Sequence, residues 1–478
     1  MIHLRPYQSE AIAELRSGFG QHRRQVLCLP TGAGKTVVFS EMVRLATIRG
    51  TKTLVLTDRV ELFGQTFGAL GRVGVNPQRI EAGRKAFDHR ALISVGMVET
   101  VKRRLPKMGE YNPDLIIIDE AHKANFNPII EHWRDARVIG ATATPVGKHF
   151  YKYYTNIVAN IDIPELVDSG YLATCRPFQM VQDLSDLETK AGEYTDESLF
   201  GHYNKQSLFD GVIDNWQKRA SGKKTIVFNV NIAHTVNMTN AFRDAGISSE
   251  CVTSETPKPE RDMILSAFRQ GAFQVLNNCG ILTTGYDEPT IECVVMNRAT
   301  KSLPLWLQCC GRGSRVIDGV KSEFTVLDFG MNHDQHGLWA EARRWTIAPP
   351  RKKAERAAPV KECPSCQALV FASARTCRYC EYVFPFEVKE LEQGQMVEVG
   401  PKIPNDLIGR KISSLTIEEL ARVQLSKRYK PSFCWRVARS MGREGIRRYG
   451  EIFKYSRGWV YRQEQEMADC TYTDYTLK

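Results

Sequence analysis

The chain has 478 residues, 42% of them hydrophobic and 25% charged, the balance of a soluble globular protein. Its length is roughly three domains' worth, and the composition excludes a collagen-like rod, a wholly disordered chain and a small cysteine-stapled scaffold. Lys plus Arg is 65 against 54 for Asp plus Glu, and the net charge of +11 suits a polyanionic partner without requiring one.

The start, Met1-Ile2-His3-Leu4-Arg5-Pro6, has no apolar run behind a basic segment, so no signal peptide is expected. The longest apolar stretches, such as Leu115-Ile116-Ile117-Ile118, fall far short of the roughly 20 residues of a membrane span. A cytoplasmic protein with no membrane partner is the expectation.

Residues 1–165 read as one α/β domain. Strands are predicted at Val26–Leu29, Thr53–Thr57, Ile93–Val95, Leu115–Ile118 and Arg137–Gly140, with a helix over Val37–Ile48. Short runs that are apolar throughout, separated by helical segments, mark a parallel sheet covered on both faces. Residues 166–345 repeat the pattern, with strands at Thr225–Phe228, Gln274–Leu276, Cys293–Met296 and Phe324–Asp328 and a helix over Ile232–Ala245. Residues 168–205 are polar and weakly periodic, a segment of uncertain fold.

The loop Pro30-Thr31-Gly32-Ala33-Gly34-Lys35-Thr36 follows the first strand and precedes the first long helix. Glycines let successive backbone N–H groups curl around a phosphate, and the helix N-terminus adds its dipole. Lys35 can reach the β- and γ-phosphates and Thr36 can hold Mg²⁺. Leu29 stands where the strict eight-residue pattern has glycine, but the core GxGKT is intact. Asp119-Glu120-Ala121-His122 ends the strand at Leu115–Ile118, where open α/β sheets bind ligands. Asp119 is expected to hold Mg²⁺ and Glu120 to position and deprotonate the attacking water. In Gln308-Cys309-Cys310-Gly311-Arg312-Gly313-Ser314-Arg315, two arginines three apart are expected on one helix face, where they could neutralise a phosphoryl group in transfer.

Residues 346–360 read as a linker, from the run Ala348-Pro349-Pro350-Arg351-Lys352-Lys353 onward. Residues 361–386 hold Cys363-Pro364-Ser365-Cys366 and Cys377-Arg378-Tyr379-Cys380. Two CxxC turns at this distance can bring four thiolates into a tetrahedron, which reads as a closed structural Zn²⁺ site, with an iron–sulfur cluster or disulfides as alternatives. The other nine cysteines read as small buried hydrophobes. Residues 387–478 read as a small, mainly helical basic domain. Arg436, Arg439, Arg447 and Arg448 lie among Trp435, Tyr449 and Trp459. That interleaving fits phosphate contact with base stacking, a helical core with a charged rim, or a partner-docking surface.

Taken together, these motifs resemble the superfamily 2 helicases and translocases, in their DEAH-box-like branch, over residues 3–345. The resemblance implies two tandem RecA-like parallel-sheet domains with ATP between them. It implies that Gln8, within Leu4-Arg5-Pro6-Tyr7-Gln8, reads the adenine edge with Arg5 in support. Leu56–Leu62 and the loop around Ser94–Met97 resemble strand-contacting motifs. Gly140–Pro145 resembles the motif that links hydrolysis to movement. Gly285 and Asp287 are expected to face the nucleotide, with Thr283 or Thr284 on the phosphate backbone. Gln308, Arg312 and Arg315 match the last motif, with Arg315 as arginine finger. The C-terminal part is similar to bacterial helicase-like repair ATPases, which implies DNA, single-stranded or branched, rather than RNA, and contact with single-strand-binding protein. An RNA helicase, a remodelling translocase without net unwinding, a restriction-type motor and a non-motor scaffold are the competing readings.

Overall fold

In the computed structural model, the described residues are 4–343, except 85, 147–149 and 160, then 345–347 and shorter stretches, chiefly 360–362, 369–371, 396–398, 416–419 and 441–452. The first lobe is built on seven parallel strands: β1 (Arg24–Cys28), β2 (Thr53–Thr57), β3 (Gln78–Ile80), β4 (Ile93–Met97), β5 (Leu115–Asp119), β6 (Arg137–Thr142) and β7 (Asn156–Val158). Their order is β3-β4-β2-β5-β6-β1-β7. Every residue of β2 and β5 is buried, because a central strand with both faces covered has no solvent side on which to place polar residues. The helix Pro6–Gly18 turns Tyr7, Gln8, Ala11, Ile12 and Leu15 inward at helical spacing. The helix Lys35–Ile48 buries Val38, Phe39, Met42, Val43 and Ala46 in the same way.

The second lobe starts with β8 (Thr174–Met180), followed by a hairpin of β9 (Thr189–Lys190) and β10 (Glu193–Tyr194) and the helix Asp196–Tyr203. The segment of uncertain fold therefore supplies a sheet strand and a docked hairpin. Glu193 accepts from Thr300 Oγ1 and the Lys301 N–H, each at 2.8 Å. Then come β11 (Thr225–Phe228), β12 (Ser249–Val252), β13 (Val275–Asn278), β14 (Cys293–Met296) and β15 (Glu323–Asp328). The order β12-β13-β11-β14-β15-β8 is parallel throughout. Buried asparagines cross its core: Asn229 donates to Asn277 at 3.1 Å, and Asn297 donates to Asn229 at 2.9 Å while its amide lies 3.3 Å from His234 Nε2. Burial pushes the His234 imidazole down to about 3.

The chain crosses between the lobes twice. After β7 it runs through the helix Ile163–Asp168 into β8. After β15 it returns: Arg343 N–H donates to Asp162 at 3.0 Å, and Trp345 and Ile347 pack against the core of the first lobe.

Beyond the return, β16 (Val360–Glu362) and β17 (Leu369–Phe371) form an antiparallel hairpin, and β18 (Met396–Glu398) is placed beside β8. Cys363, Cys366 and Cys377 lie outside the described residues, and Cys380 is exposed in a turn. Among the described residues no three His, Cys, Asp or Glu side chains gather to hold a metal. A separate unit comprises His333–Glu341 and the chain from Glu398. Its helix Gly442–Ile452 buries Ile446 and Tyr449, and the Trp435 ring sits 5.3 Å from Tyr449. Arg447 pairs with Glu464 at 2.5 Å and Arg448 with Glu451 at 3.0 Å. At these positions Tyr449 is buried, Trp435 is half-buried against it and the two arginines are ion-paired. Arg436, Trp459 and most other basic residues of the tail lie outside the described residues. Among the described residues no helix is long and apolar enough to cross a membrane.

Candidate active site

The first lobe delivers its site residues from strand ends. The loop after β1 places Gly32 and Gly34 at φ +89° and +83°, a region open to glycine. Close approach demands glycine there too. A Cβ on Gly34 would lie 2.5 Å from Gln8 Nε2, and one on Gly32 would lie 2.7 Å from Ser314 Oγ of the second lobe. Lys35 opens the following helix, and its Nζ donates to Leu29 O at 3.3 Å within its own loop. Ala33 is buried, and its carbonyl accepts from Tyr7 Oη at 2.8 Å and Gln8 Nε2 at 3.1 Å. Gln8 Oε1 in turn accepts from Arg5 N at 3.0 Å. The residues expected to read the base thus also brace the phosphate loop.

β5 ends on Asp119, and Glu120 follows at φ +52°. Asp119 Oδ1 accepts from the Glu120 N–H at 3.0 Å. Burial, and next the neighbouring Glu120, raise the Asp119 carboxyl above the usual range. His122 Nδ1 lies 3.4 Å from Glu120 and 3.0 Å from Thr142 Oγ1, which accepts from the Thr144 N–H at 3.1 Å. Burial lowers the His122 pKa. Contacts therefore run from Glu120 to the end of β6, where Gly140–Pro145 resembles the motif coupled to movement.

The second lobe supplies its half from a turn. The helix Leu303–Cys310 stops before the arginines, so the expected shared helix face is not formed. Two glycines follow where a side chain would not fit: a Cβ on Gly311 would meet Thr31 Cβ at 2.6 Å, and one on Gly313 would meet the Phe324 ring at 2.3 Å. Tight turns closed by the Arg312 N–H to Cys309 O and the Gly313 N–H to Cys310 O, each at 3.1 Å, replace the next helical turn. The two arginines then diverge. Arg312 is buried and donates to Tyr286 O, and burial pushes its guanidinium down to about 10. Arg315 is more exposed and pairs with Asp287. Gln308, buried, reaches Glu120 Oε2 at 3.4 Å.

These residues meet at one cavity of about 610 Å³. Lys35, Thr36, Asp119 and Glu120 line it from the first lobe, and Arg312 and Arg315 from the second. Arg5, Gln8, Thr31, Gly32, Gly34, Gly285 and Asp287 line it as well, whereas Ala33 and Gln308 act from behind it. Further lobe contacts are Arg59 NH1 to Gly280 O at 3.1 Å and Gln65 Nε2 to Gly285 O. Thr283 and Thr284 are both buried, and Thr283 Oγ1 donates to Gly280 O at 2.7 Å. The expected loop at Ser94–Met97 is the strand β4 itself.

Lys321 carried no motif in the sequence, yet it holds the arginine turn. Its buried ammonium donates to Gly313 O at 2.7 Å, Arg315 O at 2.8 Å and Pro289 O at 3.0 Å. Burial lowers its pKa to about 8.

Residues 1–147 match the family described as type III restriction enzyme, res subunit, and residues 204–316 match the helicase conserved C-terminal domain. A 51.5 kDa protein of a Lactococcus phage (isolate 7-9) is 30% identical over 371 residues, covering 75% of this chain and 78% of that protein. IRC3 of Saccharomyces cerevisiae, named a candidate ATP-dependent helicase, is 31% identical over 353 residues, 68% of this chain and 51% of IRC3. The chain thus spans about half the length of that relative. A fragment structure of a candidate HsdR subunit of a type I restriction enzyme from Vibrio vulnificus YJ016 superposes with a TM-score of 0.54 at 25% identity, covering 71% of this chain and 68% of that one. The chain belongs to the superfamily 2 helicase-like family, whose members are ATP hydrolases that act on nucleic acid.

Proposed function

We propose that the protein is a DNA-dependent ATPase motor, a helicase or translocase of repair or recombination. The observation that carries this reading is the convergence of both lobes on one cavity, where Gln308 of the second touches Glu120 of the first at 3.4 Å. ATP fits with its base towards Arg5 and Gln8 and its phosphates over Gly32–Thr36. Lys35 binds the terminal phosphates and Glu120 orients and deprotonates the attacking water. Thr36 and Asp119 hold Mg²⁺, which supplies charge neutralisation on the phosphates. A buried carboxylate pair beside Lys35 suits such a cation. Arg312 and Arg315 meet the charge that builds in transfer, so hydrolysis requires both lobes, and ATP and nucleic acid bias one lobe arrangement.

Within the family, we read the four-cysteine segment and basic tail as those of a protein like the bacterial repair ATPase RadD, in a shorter or phage-borne form, with single-strand-binding protein as a partner. Zn²⁺ on Cys363, Cys366, Cys377 and Cys380 supplies folding energy to that small module and takes no part in hydrolysis. The hairpin β16–β17, whose loop carries the first CxxC, supports this reading. One zinc per purified chain is the expected metal content.

ATP turnover measured with single-stranded, duplex, forked and RNA ligands, followed by strand displacement on the best of them, tests the proposal. DNA should stimulate turnover more than RNA. Stimulation without displacement indicates a remodelling translocase, stronger stimulation by RNA an RNA helicase, and no turnover at all a scaffold.

A further inference from the structure

The connection between the lobes does more than join them. Three consecutive residues of the strap Gly170–Ala173 each touch a different part of the cleft. The Tyr171 ring lines the cavity, lies 5.3 Å from the Tyr7 ring and sits under the Arg5 guanidinium, whose Cζ is 4.9 Å from its centroid. Leu172 is buried against the phosphate loop, within 3.0 Å of where a Cβ on Gly32 would stand. The Ala173 N–H donates to Ser314 O at 2.7 Å, one residue before Arg315. The strap is short and pinned at its start, where the Tyr171 and Leu172 N–H groups both donate to Leu166 O, at 2.8 and 3.0 Å. A shift of the ring therefore has no slack in which to dissipate before it reaches Ser314.

We propose that Tyr171 is a positioning residue: a purine base seated against its ring and Arg5 sets, through the strap, where the arginine turn of the second lobe stands. The inference rests on the ATPase reading and extends it. A flat base gains from stacking on an aromatic face and a guanidinium plane. The same base then reports its presence at the arginine turn, whose Arg315 meets the γ-phosphate. Gln8 ties the base to the phosphate loop of the first lobe, and Tyr171, with Arg5 upon it, passes the signal to the second.

The test uses the full chain with single-stranded DNA, comparing the unaltered protein with Tyr171→Phe, Tyr171→Leu and Tyr171→Ala. The substrates are ATP and GTP, with inorganic tripolyphosphate as competitive inhibitor. An unaltered protein without DNA-stimulated ATP turnover ends the ATPase reading before the strap is at issue. Given that turnover, the Leu and Ala variants should raise KM for ATP and lower kcat at saturating ATP, each about tenfold, the loss expected for one base–aromatic stack. They should narrow the preference for ATP over GTP and leave the tripolyphosphate inhibition constant unchanged. Tyr171→Phe should behave as the unaltered chain, since the ring and not the hydroxyl carries the effect. Tyr171→Leu keeps bulk and carries the test where Tyr171→Ala does not fold. A rise in KM with kcat intact would reduce Tyr171 to a base contact and overturn the coupling. Equal weakening of tripolyphosphate binding would assign it a merely structural part and overturn it equally.

Discussion

The first lobe presents its half of the cleft from the ends of buried strands, whereas the second presents its half from a turn. Lys35 and Glu120 follow β1 and β5, each locked on both sides by neighbouring strands. Arg312 and Arg315 follow a helix that has already ended, and Lys321 holds their turn through main-chain carbonyls. A strand end fixes a side chain for the lifetime of the fold. The turn instead depends on side-chain and strap contacts, from Lys321, from Arg315 to Asp287 and from the Ala173 N–H to Ser314 O, each of which a single substitution can loosen. The difference assigns the standing chemistry to the first lobe and the conditional part to the second.

The sharpest way to break that division is to remove the fixed half. Lys35→Ala or Glu120→Gln should abolish turnover, a loss of at least about a thousandfold in kcat. Normal steady-state rates in both would sink the site. Arg315→Ala should cost about a hundredfold or more in kcat while ATP affinity, read by equilibrium binding, changes less than about threefold. Equal losses in affinity and rate would make Arg315 a binding residue and erase the contrast between the lobes. Lys321→Met should be milder, about tenfold in kcat with KM little changed, because the guanidinium groups remain and only their placement suffers.

The smallest effect concerns stability. His234 titrates near 6.5 in the unfolded chain and near 3 in the folded second lobe. Below pH 6.5 the unfolded state binds the extra proton, so stability is present at neutral pH and is lost as pH falls towards 3. Between pH 7.5 and 5 this amounts to about 2 kcal/mol. Thermal melts at pH 7.5 and 5 should show a drop that His234→Asn reduces. An identical drop in the variant would place the acid sensitivity elsewhere.

Most of this architecture was legible because central strands have no solvent face. β1, β2, β5 and β14 are apolar runs, and each reads from sequence within a residue or two. β3 and β7 have three residues each, and β8 carries Arg176 and Gln179 with two of its first three residues exposed, so composition gave no period to find. Phosphate-loop and DEAH positions are legible for a related reason: local sequence dictates local geometry there. Lys321 and Tyr171 were not. Their partners, Gly313 and Arg5, are set by tertiary packing, in the latter case across 166 residues. The arginine turn misled for the opposite reason. Spacing suggested a helix, but the helix ends at Cys310 and two glycines follow, packed against Thr31 and Phe324.

The double crossing described for the fold has a mechanical consequence. A single thread between two bodies lets them tumble about any direction. Two anchored threads, one at Tyr171 and one at Trp345 and Ile347, would confine such motion much as two pins confine a door. If the lobes close on ATP as proposed, each closure would follow the same arc.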